Sequence, residues 1–505
     1  MTSFFPVNSY HQMILKGSYR RLYSFFLFSA IFLLLPVSKT IAQDNTLYLM
    51  PDIPQANQLN PAYFKLCRIY VELPVISSVK LNIRNTGFGF HDVISRGTGD
   101  QANVFLVDVS KLDKNLRKMN YTQVETDIDL LGFGFGYKDW YFTFGISNHS
   151  DMLLYYPHDI MSLRDQNLQT AITSGTPINI TNAGTEITLW NSIGVSAATE
   201  ITDGLKVGLR LKYLQGMANA VSRRSDLYIN SSINPESLTA GMNYQINASF
   251  PVNVKYTPNG LVNGLNVDNS FNNIFGNYIF NGNRGVSVDA GLDFDYDEKT
   301  EISASITDLG FIHWKKNANS YGATGNYFLN ATDIAQLLAN TGQVNIAGAV
   351  RDSISGAFRV SSKSYFTLTP VKIFGGVTRL LMPGLRAGAM TRIEIYNMHV
   401  LPSLSLSMNY TPLPWVDASL SYTIMNNKFN QAGAGIAFGN RIAQFYVITD
   451  NIVTRFTKDI SSPLFWPYNA RMVSLRFGLN LLFGCNKKDN KYHSTSKDGL
   501  CPAYK

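Results

Sequence analysis

The chain has 505 residues, enough for one large barrel or two to three soluble domains, and only 15% of them are charged, against about 25% in soluble domains. Mean hydropathy is −0.04, and no run beyond the N-terminus is long and apolar enough for a transmembrane helix, which argues against a helical membrane protein. The net charge of +8 comes without a basic stripe interleaved with aromatics, so no nucleic acid partner is expected.

Lys16, Arg20 and Arg21 precede the apolar run Leu22–Val37 and the small-residue exit Thr40-Ile41-Ala42. This pattern predicts a secretory signal peptide over 1–42, with an uncleaved membrane anchor as the alternative. No cysteine follows the run, so a lipoprotein anchor is not expected. Residues 43–67 are a polar, proline-containing lead-in, expected to pack into a barrel mouth as a periplasmic plug.

Arg68–Val75 and Ser78–Phe90 read as a first hairpin, and Val107–Asn120 as a loop helix. In the next hairpin, Leu131, Phe133, Phe135 and Tyr137 alternate with three glycines, and Trp140 beside the turn suits an interfacial girdle. Gly132–Gly136 and Gly433–Gly439 lie inside strands, where glycine permits close packing rather than phosphate binding. Pro157–Thr173 reads as another loop helix. Ile187–Ala197, Leu205–Tyr213, Met242–Tyr256, Val286–Phe294 and Glu301–Asp308 alternate as strands, and Lys206, Arg210 and Lys212 share one face. Asn319–Arg351 reads as a loop with a short helix at Asp333–Ala339. The last third holds Pro370–Leu380, Leu385–Tyr396, Pro402–Tyr410, Trp415–Met425, Gly433–Phe438, Arg441–Thr449 and the closing strand Arg471–Phe483. In that last strand Val473, Leu475, Phe477, Leu479, Leu481 and Phe483 share an apolar face. Ser474, Arg476, Gly478 and Asn480 share a wet one, which only Leu482 breaks. At about 3.3 Å per residue such a strand, tilted, crosses a bilayer core of roughly 30 Å.

The fold class is therefore all-β: a transmembrane antiparallel β-barrel of about 14 strands over 68–484, with short loop helices and a polar periplasmic tail over 485–505. Alternation places Arg386, Arg392, Glu394 and Arg476 in the lumen. There they pair with one another or with plug residues, the alternative being a polar constriction or a ligand head-group contact. Cys67 precedes the first strand, Cys485 follows the last and Cys501 lies in the tail. A Cys67–Cys485 seam bridge, a local Cys485–Cys501 bridge and three free thiols all remain open.

The motifs of P-loops, zinc proteases, nucleophile elbows and dithiol centres are absent, so neither enzyme activity nor a cofactor is expected. His149, Asp151, His158 and Asp159 cluster near an expected outer loop; they read as solvated loop residues, with a metal site as the alternative. In Thr307-Asp308-Leu309-Gly310 the aspartate and glycine suit a strand end and turn. Phe311, Ile312 and Trp314 then form an apolar patch able to fold over a barrel mouth.

Asn60-Pro61-Ala62, Ser303–Lys316 with Asp308, Gly310 and Trp314, and Asn469–Gly484 preceded by Thr449-Asp450-Asn451 carry a resemblance. Together they resemble the uncharacterised Bacteroidetes outer-membrane family called domain of unknown function 5723. That family is itself similar to fatty-acid-transporter-like barrels and the shuttle barrel of type IX secretion. The resemblance implies a barrel of about 14 strands with an N-terminal segment plugging its lumen, no enzyme activity and no assigned ligand residues. It points to an outer-membrane protein, in contact with outer-membrane lipid, that binds or transports small hydrophobic molecules. The alternative is a scaffold or secretion accessory that grips an envelope protein partner with its outer loops or the tail from Lys487. The barrel itself predicts that an unboiled sample migrates differently from a boiled one on a denaturing gel; identical migration with helix-rich circular dichroism would contradict it.

Overall fold

The structure is a computed structural model. It describes residues 45–66, 68–88, 94–96, 105–107, 109–163, 177–231, 237–250, 253–256, 262–266, 282–330, 359–396, 399–425, 428–439, 442–452, 456–458, 465–467 and 472–484. The expected signal peptide, tail and helix at 333–339, and all three cysteines, lie outside these residues.

Fourteen strands close antiparallel into one barrel. The first five are β1 (Arg68–Glu72 with Val79–Asn85), β2 (Met119–Tyr137), β3 (Trp140–Pro157), β4 (Gly184–Thr202) and β5 (Leu205–Ser231). Three more are built from collinear pieces: β6 (Ser237–Ser249 with Arg284–Asp297), β7 (Thr300–Trp314 with Ala318–Asn330) and β8 (Arg359–Ser362, Tyr365–Leu368 and Val371–Met382). The rest are β9 (Leu385–Tyr396), β10 (His399–Leu413), β11 (Val416–Met425), β12 (Lys428–Gly439), β13 (Ala443–Thr449) and β14 (Met472–Gly484). The seam closes where β14 meets β1, with Arg68 opposite Gly484 and Val79 opposite Phe477. Tight turns at Lys138, Gly204 and Gly384 take positive φ and mark one end, where Arg68 and Gly484 also lie. Short turns mark the periplasmic end of a transmembrane barrel.

The outer surface is an apolar belt. Along one row of neighbours, Tyr213, Val286, Phe311 and Leu368 stand opposite one another on β5 to β8, and all are exposed. Tyr137, Trp140, Tyr296, Tyr410 and Trp415 are about half exposed beside the short turns, an aromatic girdle at the headgroup level. The lumen side carries the buried polar set. In β14 the wet face Ser474, Arg476, Gly478 and Asn480 points inward, and Leu482 joins it because it packs against Tyr70 and Tyr141.

Several expectations need correction. Arg68–Val75 and Ser78–Phe90 are not a hairpin: both pieces of β1 pair with the same neighbours in the same sense. Leu73–Ser78 instead bulges from one strand. Val75 adopts φ 68°, and Val75 and Ile76 face outward. Asp129 O accepts the Val75 N–H, and Ile76 O accepts the Leu479 N–H, so both neighbours stay bonded and the chain does not reverse. The helix expected over Val107–Asn120 is Val109–Asn115, and β2 begins at Met119. The helix expected over Pro157–Thr173 is a 3₁₀ turn at His158–Leu163; residues 164–173 are outside the described set. Met242–Tyr256 breaks after Ser249, its remainder pairing with Val262–Asn266, and Ala318–Asn330, read as loop, is strand. Beyond the bilayer the outer face has no need of apolar residues, so alternation fades there while the hydrogen-bonded ladder continues.

Residues 45–66 lie inside the barrel. Leu47, Tyr48, Leu49, Met50, Ile53 and Leu59 are buried with Phe374, Met390, Ala437, Tyr446 and Ile448 of the wall. Tyr48 stacks on Phe374 at 5.0 Å between ring centroids. Each fully buried aliphatic side chain contributes about 1.5–3 kcal/mol, so the segment supplies a core that an open lumen lacks.

Leu406 of β10 is half exposed on the belt, and Ser405 beside it is buried in the lumen. Leu406→Arg is expected to destabilise the barrel by about 2–4 kcal/mol in lipid vesicles, measured by denaturant unfolding. A change under about 0.5 kcal/mol would place this face away from lipid.

Candidate functional site

Opposite walls of the barrel meet through ion pairs. Register sets Lys80, Asn82 and Arg84 of β1 opposite Asp127, Glu125 and Gln123 of β2, all on the lumen face. Glu125 is the hub. Lys80 Nζ lies 2.7 Å from it, Lys372 Nζ of β8 3.0 Å and Arg84 Nη2 3.5 Å. Lys372 comes from the far side of the ring, so this contact spans the lumen. Arg84 also reaches Glu394 of β9 at 3.9 Å, and Glu394 is held by Arg392 at 3.0 Å. Arg476 of β14 lies 3.7 Å from Asp127. Three of the four charges expected in the lumen thus join one network. Arg386 stands apart, nearer the short-turn end, paired with Glu301 at 2.6 Å.

A second cluster holds the inner segment. Arg210 and Lys212 of β5 share Asp289 of β6 at 3.2 and 2.7 Å, and Arg210 Nη2 donates to Asn57 O at 3.0 Å. Asn60 Oδ1 accepts the Ala62 N–H at 3.0 Å, while its Nδ2 donates to Leu292 O at 3.0 Å. Gly208 and Gly291 are cross-strand partners directly beneath this turn. A Cβ at Gly291 would sit 2.0 Å from Asn60 Oδ1, and one at Gly208 2.4 Å from the Pro61 carbonyl. The Asn-Pro-Ala turn therefore occupies a notch made by two missing side chains. Tyr48 and Tyr63 both reach Ser303 Oγ, at 3.1 and 2.9 Å. Burial raises both phenols above their ordinary range, Tyr63 well above, so both remain neutral hydroxyls.

Asp308 does not end a strand. It sits in β7 at a bulge with φ 60°, and β7 runs on to Trp314. Its N–H donates to Asp289 Oδ1 at 2.8 Å and its carboxylate receives Lys212 at 2.7 Å. Aspartate tolerates the left-handed region, and two lumen contacts hold it there. At Gly310 a Cβ would meet the Val286 carbonyl at 2.2 Å, so the bulge needs its absence. Trp314 does not fold over a mouth: it is fully buried with Trp190, Leu214, Ile312 and Tyr365, and its Nε1–H donates to Thr367 Oγ1 at 2.8 Å. Phe311 faces outward instead.

His149 and Asp151 lie on β3 facing the lumen, not on an outer loop, because β3 continues to Pro157. His158 is on the following 3₁₀ turn, where it contacts Asp113, so the four residues do not form one cluster. Among the described residues no group of three or more His, Cys, Asp or Glu is arranged to hold a metal. His149 stacks on Trp190, with Nδ1 2.7 Å from Asp127 Oδ1 and Nε2 2.9 Å from Ser192 Oγ. Asp127, His149, Trp190 and Ser192 border an internal cavity that Glu72, Lys212 and Lys372 also line.

Among the described residues the wall is discontinuous at β8. The β8–β9 ladder reaches Val371 opposite Ile395, whereas the β8 pieces Arg359–Ser362 and Tyr365–Leu368 pair, among the described residues, with β7 alone. Pro370 stands at the change. A pocket opens there, lined by Glu186, Asn219, Val221 and Tyr396 from the lumen and by Phe366 and Leu368 from the outer belt. Arg223 Nη2 donates to Phe366 O at 2.6 Å.

In fold, the chain is similar to the Ralstonia pickettii toluene transporter TbuX at 10% identity, covering 86% of this chain and 95% of that one with a TM-score of 0.39. It is also similar to a Pseudomonas aeruginosa FadL homologue at 11% identity, covering 89% and 100% with a TM-score of 0.35. The translocator domain of the Neisseria meningitidis autotransporter NalP shares 6% identity over 87% and 99%, with a TM-score of 0.29. No curated protein matches the chain. A family model covers residues 61–450, most of the barrel and the Asn-Pro-Ala turn's Pro61 and Ala62, and the chain belongs to that family, the family of unknown function DUF5723.

Proposed function

We propose that this outer-membrane barrel binds small hydrophobic molecules at the β8 discontinuity and passes them between the bilayer and the lumen. The carrying observation is the pocket that joins belt residues Phe366 and Leu368 to lumen residues Asn219 and Tyr396. A straight path along the barrel axis is opposed by the Glu125–Lys372 contact and by residues 45–66, which act in this reading as a plug. An apolar molecule that enters sideways keeps its body on Phe366, Leu368 and Val221 and brings its polar head to Glu186 or Arg223. The alternative of a protein-interaction barrel rests on outer loops and a tail that lie largely outside the described residues.

Val221→Trp fills the pocket from β5 and is expected to weaken binding of a fluorescent fatty-acid analogue at least about tenfold, with the gel shift of the folded barrel retained. Unchanged affinity in a folded barrel would reject this site. Gly291→Val puts a side chain where Asn60 Oδ1 lies within 2.0 Å of the Cβ position. It is expected to expose residues 45–66 to protease and to speed probe uptake into proteoliposomes. If the segment stays protected, the glycine notch does not hold the plug.

A further inference from the structure

The row Asp127, His149, Ser192 has an order of contacts that packing alone does not require. Asp127 and His149 are cross-strand partners on β2 and β3, and Ser192 follows diagonally on β4. The two ring nitrogens meet different partners: Nδ1 meets Asp127 Oδ1 at 2.7 Å, and Nε2 meets Ser192 Oγ at 2.9 Å. An ionised carboxylate only accepts, so Nδ1 carries the proton toward Asp127. In the neutral imidazole Nε2 is then the acceptor, and Ser192 O–H is the donor. The other carboxylate oxygen, Asp127 Oδ2, is fixed by Lys80 at 3.2 Å and Arg476 at 3.7 Å. The stack on Trp190 fixes the ring plane. A neighbouring hydroxyl pair on the same two strands, Thr143 with Ser196, has no imidazole and shows the ordinary way this face satisfies a serine. Ser192 and His149 both border the internal cavity.

We propose that Ser192 is a nucleophile, activated by His149 as general base and with Asp127 as the positioning residue, acting on small carboxylic esters that enter this cavity. Ser192 Oγ attacks the carbonyl carbon as its proton passes to His149 Nε2. The ester C–O bond breaks, and the departing alkoxide takes that proton and leaves as the alcohol. Water then attacks the acyl-serine, giving up a proton through His149, and the carboxylic acid leaves with Ser192 restored. Lys372 and Arg476, held by Glu125 and Asp127, line the same space and put positive charge along its wall. Leu59, Tyr70 and Trp190 line it too, which suits a short acyl group rather than a long chain. No sequence motif announces this site, because its members come from three strands and meet only through register.

The test uses the full chain in detergent micelles, treated with a small alkyl fluorophosphonate and analysed by peptide mass spectrometry. Ser192 is expected to carry the phosphonyl adduct, Ser192→Ala to lose it, and His149→Gln to slow labelling at least about 100-fold while the barrel keeps its gel shift. Asp127→Asn is expected to slow it as well, and turnover of p-nitrophenyl acetate is expected to follow the same order. Ser147 lines the same cavity, so Ser147→Cys treated with a small methanethiosulfonate reports whether reagents arrive. If that cysteine reacts and Ser192 stays unlabelled, Ser192 is no nucleophile. If the cysteine does not react, no ester reaches the site. Equal labelling of Ser192 in His149→Gln removes the base. Each of these three results overturns the proposal.

Discussion

A barrel of this circumference leaves a lumen that side chains on one wall do not fill, and here the gap is closed electrostatically at Glu125. One carboxylate on β2 draws in Lys80 and Arg84 from the adjoining β1 and Lys372 from the distant β8. Such ions are costly to desolvate, by several kcal/mol each in protein interiors, and are tolerable only as a set. Removing Glu125 would take from Lys372 the carboxylate it pairs with and leave Lys80 to Asp127 and Arg84 to Glu394. The set also fixes geometry: walls tied at Glu125–Lys372 and approaching again at Arg84–Glu394 cannot round out into a water-filled pore.

The inner segment solves the other half of the same problem. On the short-turn side of the ion network, the lumen is filled by Leu47 to Leu59 packed on Phe374, Met390 and Tyr446. The segment is kept in register by polar contacts at its ends and middle: Thr46 to Asp450, Gln55 to Asn480 and Asn57 to Arg210. The wall yields space where a neighbouring group must approach closely. Gly132 and Gly134 face Glu72 and Tyr70, as Gly208 and Gly291 face the Asn-Pro-Ala turn. Apolar packing therefore supplies the stability of the inner layer, and hydrogen bonds choose its position.

Period-two alternation made the barrel legible. It placed Arg392, Glu394 and Arg476 on the inner face, and it found the bounds of Leu385–Tyr396 as the structure has them. It failed where a strand departs from regular geometry. Leu73–Ser78 reads as a turn because Pro74 and two serines resemble one, and only pairing of both flanks with the same neighbours identifies it as a bulge. His149 and Asp151 read as loop because Ser147–Asp151 is polar throughout and interrupts the alternation of β3 before the exposed Met152 and Leu154 resume it. Asp308 in a left-handed bulge reads as a turn, since both use the same residue type. The contacts that matter most, Glu125 with Lys372 and His149 with Ser192, join residues 247 and 43 positions apart. Local pattern carries no information about the register of neighbouring strands or about which strands face each other across a closed ring.

The discontinuity in β8 follows from the same forces. Below Pro370, Lys372 is drawn to Glu125 across the lumen, and the β8–β9 ladder is complete. Above it, β9 turns back after Tyr396 into β10 at His399, so Tyr365–Leu368 has no partner on that side among the described residues. Proline has no N–H to offer a ladder, so Pro370 marks the change at no hydrogen-bond cost of its own. The upper piece is held instead by side chains: Tyr365 donates its hydroxyl to Asn219 at 2.9 Å, and Arg223 donates to the Phe366 carbonyl at 2.6 Å. Both contacts come from β5, beyond β6 and β7, which carries the two faces of the pocket past a strand edge. An edge secured by side chains rather than by a neighbouring backbone separates at the expense of a few hydrogen bonds, whereas a laddered seam would have to lose its whole register.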